Sequence, residues 1–136
     1  MAKKAVCCFE HGDQGGTYNG NPLMCAVGLA VLEVVGKPAF LDTVNRTGSY
    51  LTEKLQSLSR RLQLGEVRGR GLMIGMGMRD HDLAVDFEQA AFRRGLLVLS
   101  CGDDAVRMAP PLVLRPDQVD TAVALLEETL VEVAGA

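Results

Sequence analysis

Residues 66–79 read EVRGRGLMIGMGMR. Leu72, Ile74 and Met76 recur at period two, the spacing of side chains along one face of a strand. Glycines at 69, 71, 75 and 77 interrupt the run. The stretch therefore predicts one or two short strands that another backbone approaches closely. On its N-terminal side, Leu41, Val44, Gly48, Leu51, Leu55, Leu58 and Leu62 repeat at steps of three and four. That is the stripe of an amphipathic helix beginning at Pro38 and ending near Gly65. On its C-terminal side, residues 82–94 carry a second helical stripe through Leu83, Phe87, Ala90 and Ala91, with Gly95 placed as the residue that closes it. LLVLS at 96–100 and VRMAP at 106–110 read as strands joined across the CGDD turn, which predicts a hairpin. Pro110, Pro111 and Pro116 punctuate a loop, and Pro116 opens a last helix along Val119, Val123, Leu126, Leu130 and Val133. Short strands interleaved with helices indicate an α+β fold: a small, mostly antiparallel sheet with helices packed on one face.

The first 37 residues differ in kind. MAKKAVCCFE at 1–10 is a mixed segment, and HGDQGGTYNGNP at 11–22 is a loop crowded with glycine and asparagine. Asn21 suits an N-cap and Pro22 the first helical position, so a helix is expected over Pro22 to Val35, stopped by Gly36 and Pro38. It is apolar on nearly every side, the pattern of a helix that belongs inside something larger or against a partner. The division expected is an arm and interface helix over 1–37 and a small α+β domain over 38–136.

A chain of 136 residues, 48% apolar and 23% charged, has enough material for one folded core without staples. Its net charge of −3 offers no basic field, which excludes nucleic acid or an anionic membrane as its main partner. No charged leader and no apolar run of about 20 residues is present, so a cytoplasmic address and no membrane span are expected. Cys7 and Cys8 are adjacent, while Cys25 and Cys101 stand alone, so all four read as reduced thiols. With no CxxC and only His11 and His81, far apart, no metal site is expected.

The loop at 11–23 holds the parts of a phosphate cradle: glycines, the Thr17 hydroxyl and a following helix N-terminus. Most glycine-rich loops simply turn, and Thr17 bonding its own loop backbone is the plain alternative. Arg107 lies within a strand pattern, where its planar guanidinium matches a carboxylate bidentately. A structural ion pair is the alternative, and the two are compatible.

Taken as whole strings, these stretches resemble the class-III pyridoxal-phosphate aminotransferases. HGDQGGTYNGNPL at 11–23 resembles that family's H-G-x-x-(S/T)-T-(Y/F)-x-G-N-P-L loop, and VRGRGLMIGM at 67–76 its R-G-x-G-L-M-I-G strand. GLLVLSCGDDAVRMAPPLVL at 95–114 resembles the segment that ends in R-x-A-P-P-L, and PDQVDTAVALLEETL at 116–130 its closing helix. Asp13-Gln14 and the terse hairpin lean toward the acetylornithine and succinylornithine group, and the resemblance implies transfer of an amino group between acetylornithine and 2-oxoglutarate, a step of arginine biosynthesis. The resemblance implies a homodimer in which Thr17 hydrogen-bonds the phosphate of the neighbouring subunit's cofactor, and implies that Arg107 binds the substrate carboxylate. Gly16 stands where many relatives carry serine. It further implies that 1–37 belong with a large cofactor-binding domain and 38–136 form the small C-terminal domain.

The family chemistry needs a lysine that binds the cofactor aldehyde, within T-x-x-K-x-x-G-x-G. Lys3, Lys4, Lys37 and Lys54 are the only lysines, and none has those surroundings. No catalytic residue is therefore assigned, and the chain by itself is expected to be inactive. An ornithine, succinylornithine or 4-aminobutyrate aminotransferase is the alternative within the family, and a non-enzymatic dimerisation or binding module the alternative outside it. The remaining charges have plainer readings: Arg68 and Arg70 as rim or structural groups, Arg60, Arg61, Arg93 and Arg94 as cations near helix C-termini, and His81 as part of a helix-start cluster with Asp80 and Asp82. His11 reads as a loop-capping residue.

Overall fold

A computed structural model describes residues 8, 10, 12, 13 and 15–135, in two units, 1–37 and 38–136. The segment 1–7, with Cys7, Lys3 and Lys4, and also His11 and Gln14, lie outside the described residues.

In the first unit the helix forms where its capping residues place it. α1 spans Pro22–Val35, and the Asn21 side-chain oxygen accepts hydrogen bonds from Leu23 N–H at 3.0 Å and Met24 N–H at 3.4 Å. That satisfies two of the amides a helix start leaves orphaned. None of its residues is buried.

The second unit follows the order α2 (Pro38–Arg61), β1 (Val67–Arg70), β2 (Met73–Gly77), α3 (His81–Arg93), β3 (Leu99–Cys101), β4 (Ala105–Met108) and α4 (Pro116–Ala134). The strands form one sheet in the order β1-β2-β4-β3, and every pairing is antiparallel. All three helices contact one another or the sheet on a single face, as expected for an α+β layer. Leu55 and Leu58 of α2, Ile74 and Met76 of β2, Phe87 of α3, Val106 of β4 and Leu130 of α4 are fully buried between them. Burial of each such side chain contributes about 1.5–3 kcal/mol. On the other face, Arg68 and Arg70 of β1 and Arg107 of β4 are exposed.

Local chemistry explains where the elements stop. α2 ends at Arg61 rather than near Gly65, because Gln63 adopts φ 52° and Leu64 N–H reaches back to Ser59 C=O at 2.9 Å. This is a Schellman ending with glutamine in the left-handed position that glycine usually takes. α3 begins one residue earlier than expected, at His81, since Asp80 is the N-cap and accepts from Leu83 N–H at 2.8 Å. It closes as expected on Gly95, at φ 81°, with Leu96 N–H bound to Ala91 C=O. That bond withdraws Leu96 from the sheet, and Pro110 and Pro111 remove donors from the strand opposite. β3 is accordingly shorter than LLVLS, and β4 begins at Ala105 and stops at Met108.

The expected close approach of backbones is present. Gly48 of α2 lies against the turn between β1 and β2, where an added Cβ would sit 2.2 Å from the Gly71 carbonyl oxygen. Between helices, Tyr50 donates to Asp120 at 2.7 Å, and Lys54 and Arg61 pair with Asp120 and Glu127 at 2.8 and 2.7 Å, tying α2 to α4. Among the described residues no single helix is long and apolar enough to cross a membrane.

Candidate functional site

The open face of the sheet holds the candidate site, and strand alternation decides who is on it. In β4, Val106 and Met108 are buried toward the helices, so Arg107 between them points the other way and is exposed. In β1, Val67 is buried while Arg68 and Arg70 are exposed. Register places Arg68 opposite Gly75 and Gly75 opposite Arg107, so the two guanidiniums stand in one row across the sheet with a glycine between them. Leu99 of β3 continues that row beyond Arg107.

Two shallow hollows meet at Arg107. One, of about 660 Å3, is lined by Arg68, Arg70, Gly75, Cys101 and Arg107 among others, and no carboxylate lines it. The other, of about 800 Å3, is mostly apolar, with Met73, Phe92, Leu97 and Leu99 beside Arg107 and Glu88. Glu88 is engaged elsewhere: its Oε2 accepts the Ser100 N–H at 2.7 Å, and the Ser100 side chain and then its backbone N–H hold the carboxyl below the usual glutamate range. Arg107 has no ion pair among the described residues, and neither Arg68 nor Arg70 has one. Among the described residues, the alternative reading of Arg107 as half of a structural ion pair finds no partner.

Thr17 belongs to the other unit. It sits in a tight exposed turn where Asn19 N–H bonds Gly16 C=O at 3.1 Å and Asn21 N–H bonds Tyr18 C=O at 3.3 Å. The turn is thus closed by backbone groups, and among the described residues no hydrogen bond ties the Thr17 hydroxyl to its own loop. At Gly16 an added Cβ would lie 3.3 Å from the Asn19 side-chain oxygen. An exposed asparagine can swing aside by that small amount, so the loop geometry tolerates the serine common at this position in the family. The remaining charges fall where their plain readings put them: Arg60 and Arg61 in the last turn of α2, Arg93 in that of α3, and Arg94 bonded to Glu132. Cys8, Cys25 and Cys101 are exposed free thiols.

One feature of the site escaped sequence reading, the sharing of a row by Arg68 and Arg107. Alternation about Ile74 and Met76 was enough to send Gly75 outward. That β2 lies beside β4, with Gly75 opposite Arg107, is a matter of sheet order, which no local pattern carries.

A pyridoxal cofactor would need a phosphate contact, a ring site and a lysine. The exposed Thr17 hydroxyl in a glycine-rich turn fits the first, while Lys37 and Lys54, the described lysines, lie at a helix junction and in the α2–α4 ion pair, positions that do not fit the last.

The family model for aminotransferase class-III matches residues 1–130. An acetylornithine aminotransferase of Caldanaerobacter subterraneus is 37% identical over 98% of this chain and 34% of its own length. One from Ralstonia nicotianae is 39% identical over 92% of this chain and 32% of its own. Among solved structures, an acetylornithine aminotransferase from Elizabethkingia anophelis matches with TM-score 0.78 at 30% identity, over 91% of this chain and 33% of that one. A lysine aminotransferase from M. tuberculosis matches with TM-score 0.80 at 26% identity, over 88% of this chain and 28% of that one. The chain thus spans about a third of the length of the curated relatives it matches. The hairpin bearing Arg107 and the helix-start loop bearing Thr17 both fall inside the matched span, and the chain belongs to the class-III aminotransferases.

Proposed function

We propose that this chain is the C-terminal portion of a cytoplasmic, homodimeric, pyridoxal-phosphate-dependent aminotransferase that moves an amino group between acetylornithine and 2-oxoglutarate in arginine biosynthesis. Residues 1–37 go with a large cofactor-binding domain, and 38–136 form the small domain. The observation that carries the reading is Arg107: an exposed guanidinium without an ion pair among the described residues, in a hollow lined by no carboxylate. A fork left open in this way is suited to the carboxylate that every amino-acid and oxo-acid substrate presents. When bound, the cofactor carries the amino group and serves as electron sink. Arg107 holds the substrate carboxylate and so orients the molecule, and the Thr17 hydroxyl donates to the phosphate of the cofactor in the neighbouring subunit.

The test is a chimaera in which this chain replaces the matching C-terminal third of a relative that supplies the lysine. It should transaminate acetylornithine with 2-oxoglutarate in preference to succinylornithine, ornithine or 4-aminobutyrate. Arg107→Ala removes charge-assisted bonds worth about 1.5–3 kcal/mol each, so the KM values for amino and oxo acid should rise together while cofactor affinity holds. Thr17→Val should instead lower cofactor retention, with activity restored by added pyridoxal phosphate. Pairing a Thr17→Val subunit with a lysine-dead subunit locates the contact. The one working site then receives a normal Thr17 from its partner and should keep wild-type cofactor affinity; an impaired site there defeats the trans assignment. A folded chimaera inactive on every amino donor defeats the functional reading as a whole.

A further inference from the structure

We infer that the hollow between α2 and the loop 109–115 is a separate ligand site, for a small monocarboxylate with an apolar body. Arg46 is the fork for its carboxylate and Thr47 a hydrogen-bonding group at its base. The site is independent of the reading of Arg107, which does not line it. On α2, Phe40, Thr43, Thr47 and Tyr50 recur at steps of three and four, beside the core stripe of Val44, Leu51, Leu55 and Leu58. Leu112 and Leu114 of the loop complete the hollow, whose volume is about 640 Å3. Small-molecule sites run to roughly 300–1,000 Å3, with mostly apolar walls and a few placed polar groups.

Thr47 is the group that marks this hollow as a site. Among the described residues the buried polar side chains are Thr47, Ser59 and Thr129. Ser59 Oγ donates to the Gly65 carbonyl and Thr129 Oγ1 to the Leu125 carbonyl, each at 2.6 Å. Thr47 is only 7% exposed, yet among the described residues its hydroxyl makes no hydrogen bond. A threonine inside a helix commonly turns its hydroxyl to the carbonyl four residues back. Thr43 and Thr121 do so at 3.0 Å, and Thr129 does the same, but Thr47 does not. Among the described residues no side-chain oxygen sealed from solvent lacks a partner, so the Thr47 oxygen is reached from the hollow that this residue lines. A hydroxyl held this deep without a partner is costly, and a ligand that bonds it removes the cost.

Charge selects the ligand class. Two arginines line the hollow and no carboxylate does. Arg115 is engaged, its Nε and Nη2 donating to Asp117 at 3.1 and 2.9 Å. Arg46 is in no ion pair among the described residues, and its Nη2 donates to Thr43 Oγ1 at 3.2 Å, which keeps the guanidinium on the stripe that carries Thr47. One unengaged fork and one hydroxyl match a single carboxylate, which accepts from both. The walls require more than a bare ion. Phe40, Leu112 and Leu114 are apolar, and Tyr50 presents its ring, since its hydroxyl is committed to Asp120 at 2.7 Å. An alkyl or aryl body buried there adds the apolar share of the binding.

The test is an NMR titration of the 136-residue chain with octanoate, 3-phenylpropionate, 1-octanol and acetate. At least one of the two larger acids should bind saturably, with shifts at Phe40, Thr47 and Leu114, and roughly tenfold more tightly than octanol, which lacks the charge, or acetate, which lacks the body. Whichever acid binds more tightly tells an alkyl body from an aryl one. Arg46→Gln, at an exposed position, should weaken that acid roughly tenfold and leave octanol unchanged. Thr47→Val keeps the branched shape and deletes the hydroxyl. It should weaken the acid several-fold while the melting temperature stays at or above that of the wild type, because the hydroxyl has no bond in the fold to lose. A Thr47→Val chain that melts well below wild type would show the hydroxyl bonded within the protein and would remove the site. Shifts confined to α1, equal affinity for octanoate and octanol, or wild-type binding of both acids by Arg46→Gln would each overturn the inference.

Discussion

α1 and α2 follow one another in the chain and use apolar residues in opposite ways. α1 is the more apolar, with leucine and valine on every side, yet none of its residues is buried. α2 is rich in serine, threonine and charge, yet Val44, Leu51, Leu55 and Leu58 are buried in one stripe. A helix that finds its partners within its own unit needs only a face, and the sequence shows that face as a period. A helix apolar all round has no preferred side, which is the mark of a segment meant to be surrounded. Leu23, Leu29 and Leu32 are each more than 60% exposed, an apolar surface of the kind monomers seldom leave open.

The sharpest break of this comparison is truncation in each helix. Leu55→Ala opens a cavity in the packed core and should cost the 38–136 unit about 2–5 kcal/mol in denaturant unfolding. Leu29→Ala should leave that same transition within about 0.5 kcal/mol. A loss in Leu29→Ala approaching that of Leu55→Ala would show α1 to be part of the same core.

Gly48→Ala sharpens the account of α2. The methyl gains helix propensity worth roughly 1 kcal/mol but collides with the Gly71 carbonyl. The collision should dominate, with a net destabilisation of about 1–3 kcal/mol by thermal melt. A stabilised Gly48→Ala would mean that α2 and the β1–β2 turn stand farther apart.

For α1 the expected outcome is association. The chain should sediment as a dimer or larger species, and Leu32→Asp should shift it toward monomer without moving the melting transition of the 38–136 unit. A clean monomer with α1 still helical by NMR would break the comparison from the other side.

The smallest effect is electrostatic and belongs to the α2–α4 seam. Hydrogen bonds from Lys54 and Tyr50 hold Asp120 below its ordinary value of 3.8, and Arg61 holds Glu127 below 4.5. Carboxyls depressed in the folded state stabilise it above their unfolded values, and lose that contribution as pH falls through the lower folded ones. Lys54 is raised above 10.5, so its share is complete below that value and is lost as pH rises beyond it. Unfolding stability should therefore be flat from neutral pH down to about 5 and decline below the 3.8–4.5 range. Asp120→Asn should flatten the acid decline, and because both partners are exposed the change should be small. An acid decline just as steep in Asp120→Asn would assign it to other carboxyls.

The sequence by itself determined which segments became helices and strands, because that information is local. The stripe from Val44 to Leu58, the alternation of Leu72, Ile74 and Met76, Asn21-Pro22 at a helix start and Gly95 at a helix end each act over a few residues. It also determined the family, since the loop at 11–23 and the segment at 95–114 keep their motifs as unbroken strings. Tertiary structure decided what depends on distant partners. The end of α2 at Gln63, the shortening of β3 opposite Pro110 and the need for glycine at Gly48 all arise from groups brought together by folding. The same holds for the candidate site. Arg107 stood out within its own strand, but Arg68 becomes its neighbour only because the sheet runs β1-β2-β4-β3. That order is set by which hydrophobic faces pack together across the core, a global condition that no single stretch of the chain contains.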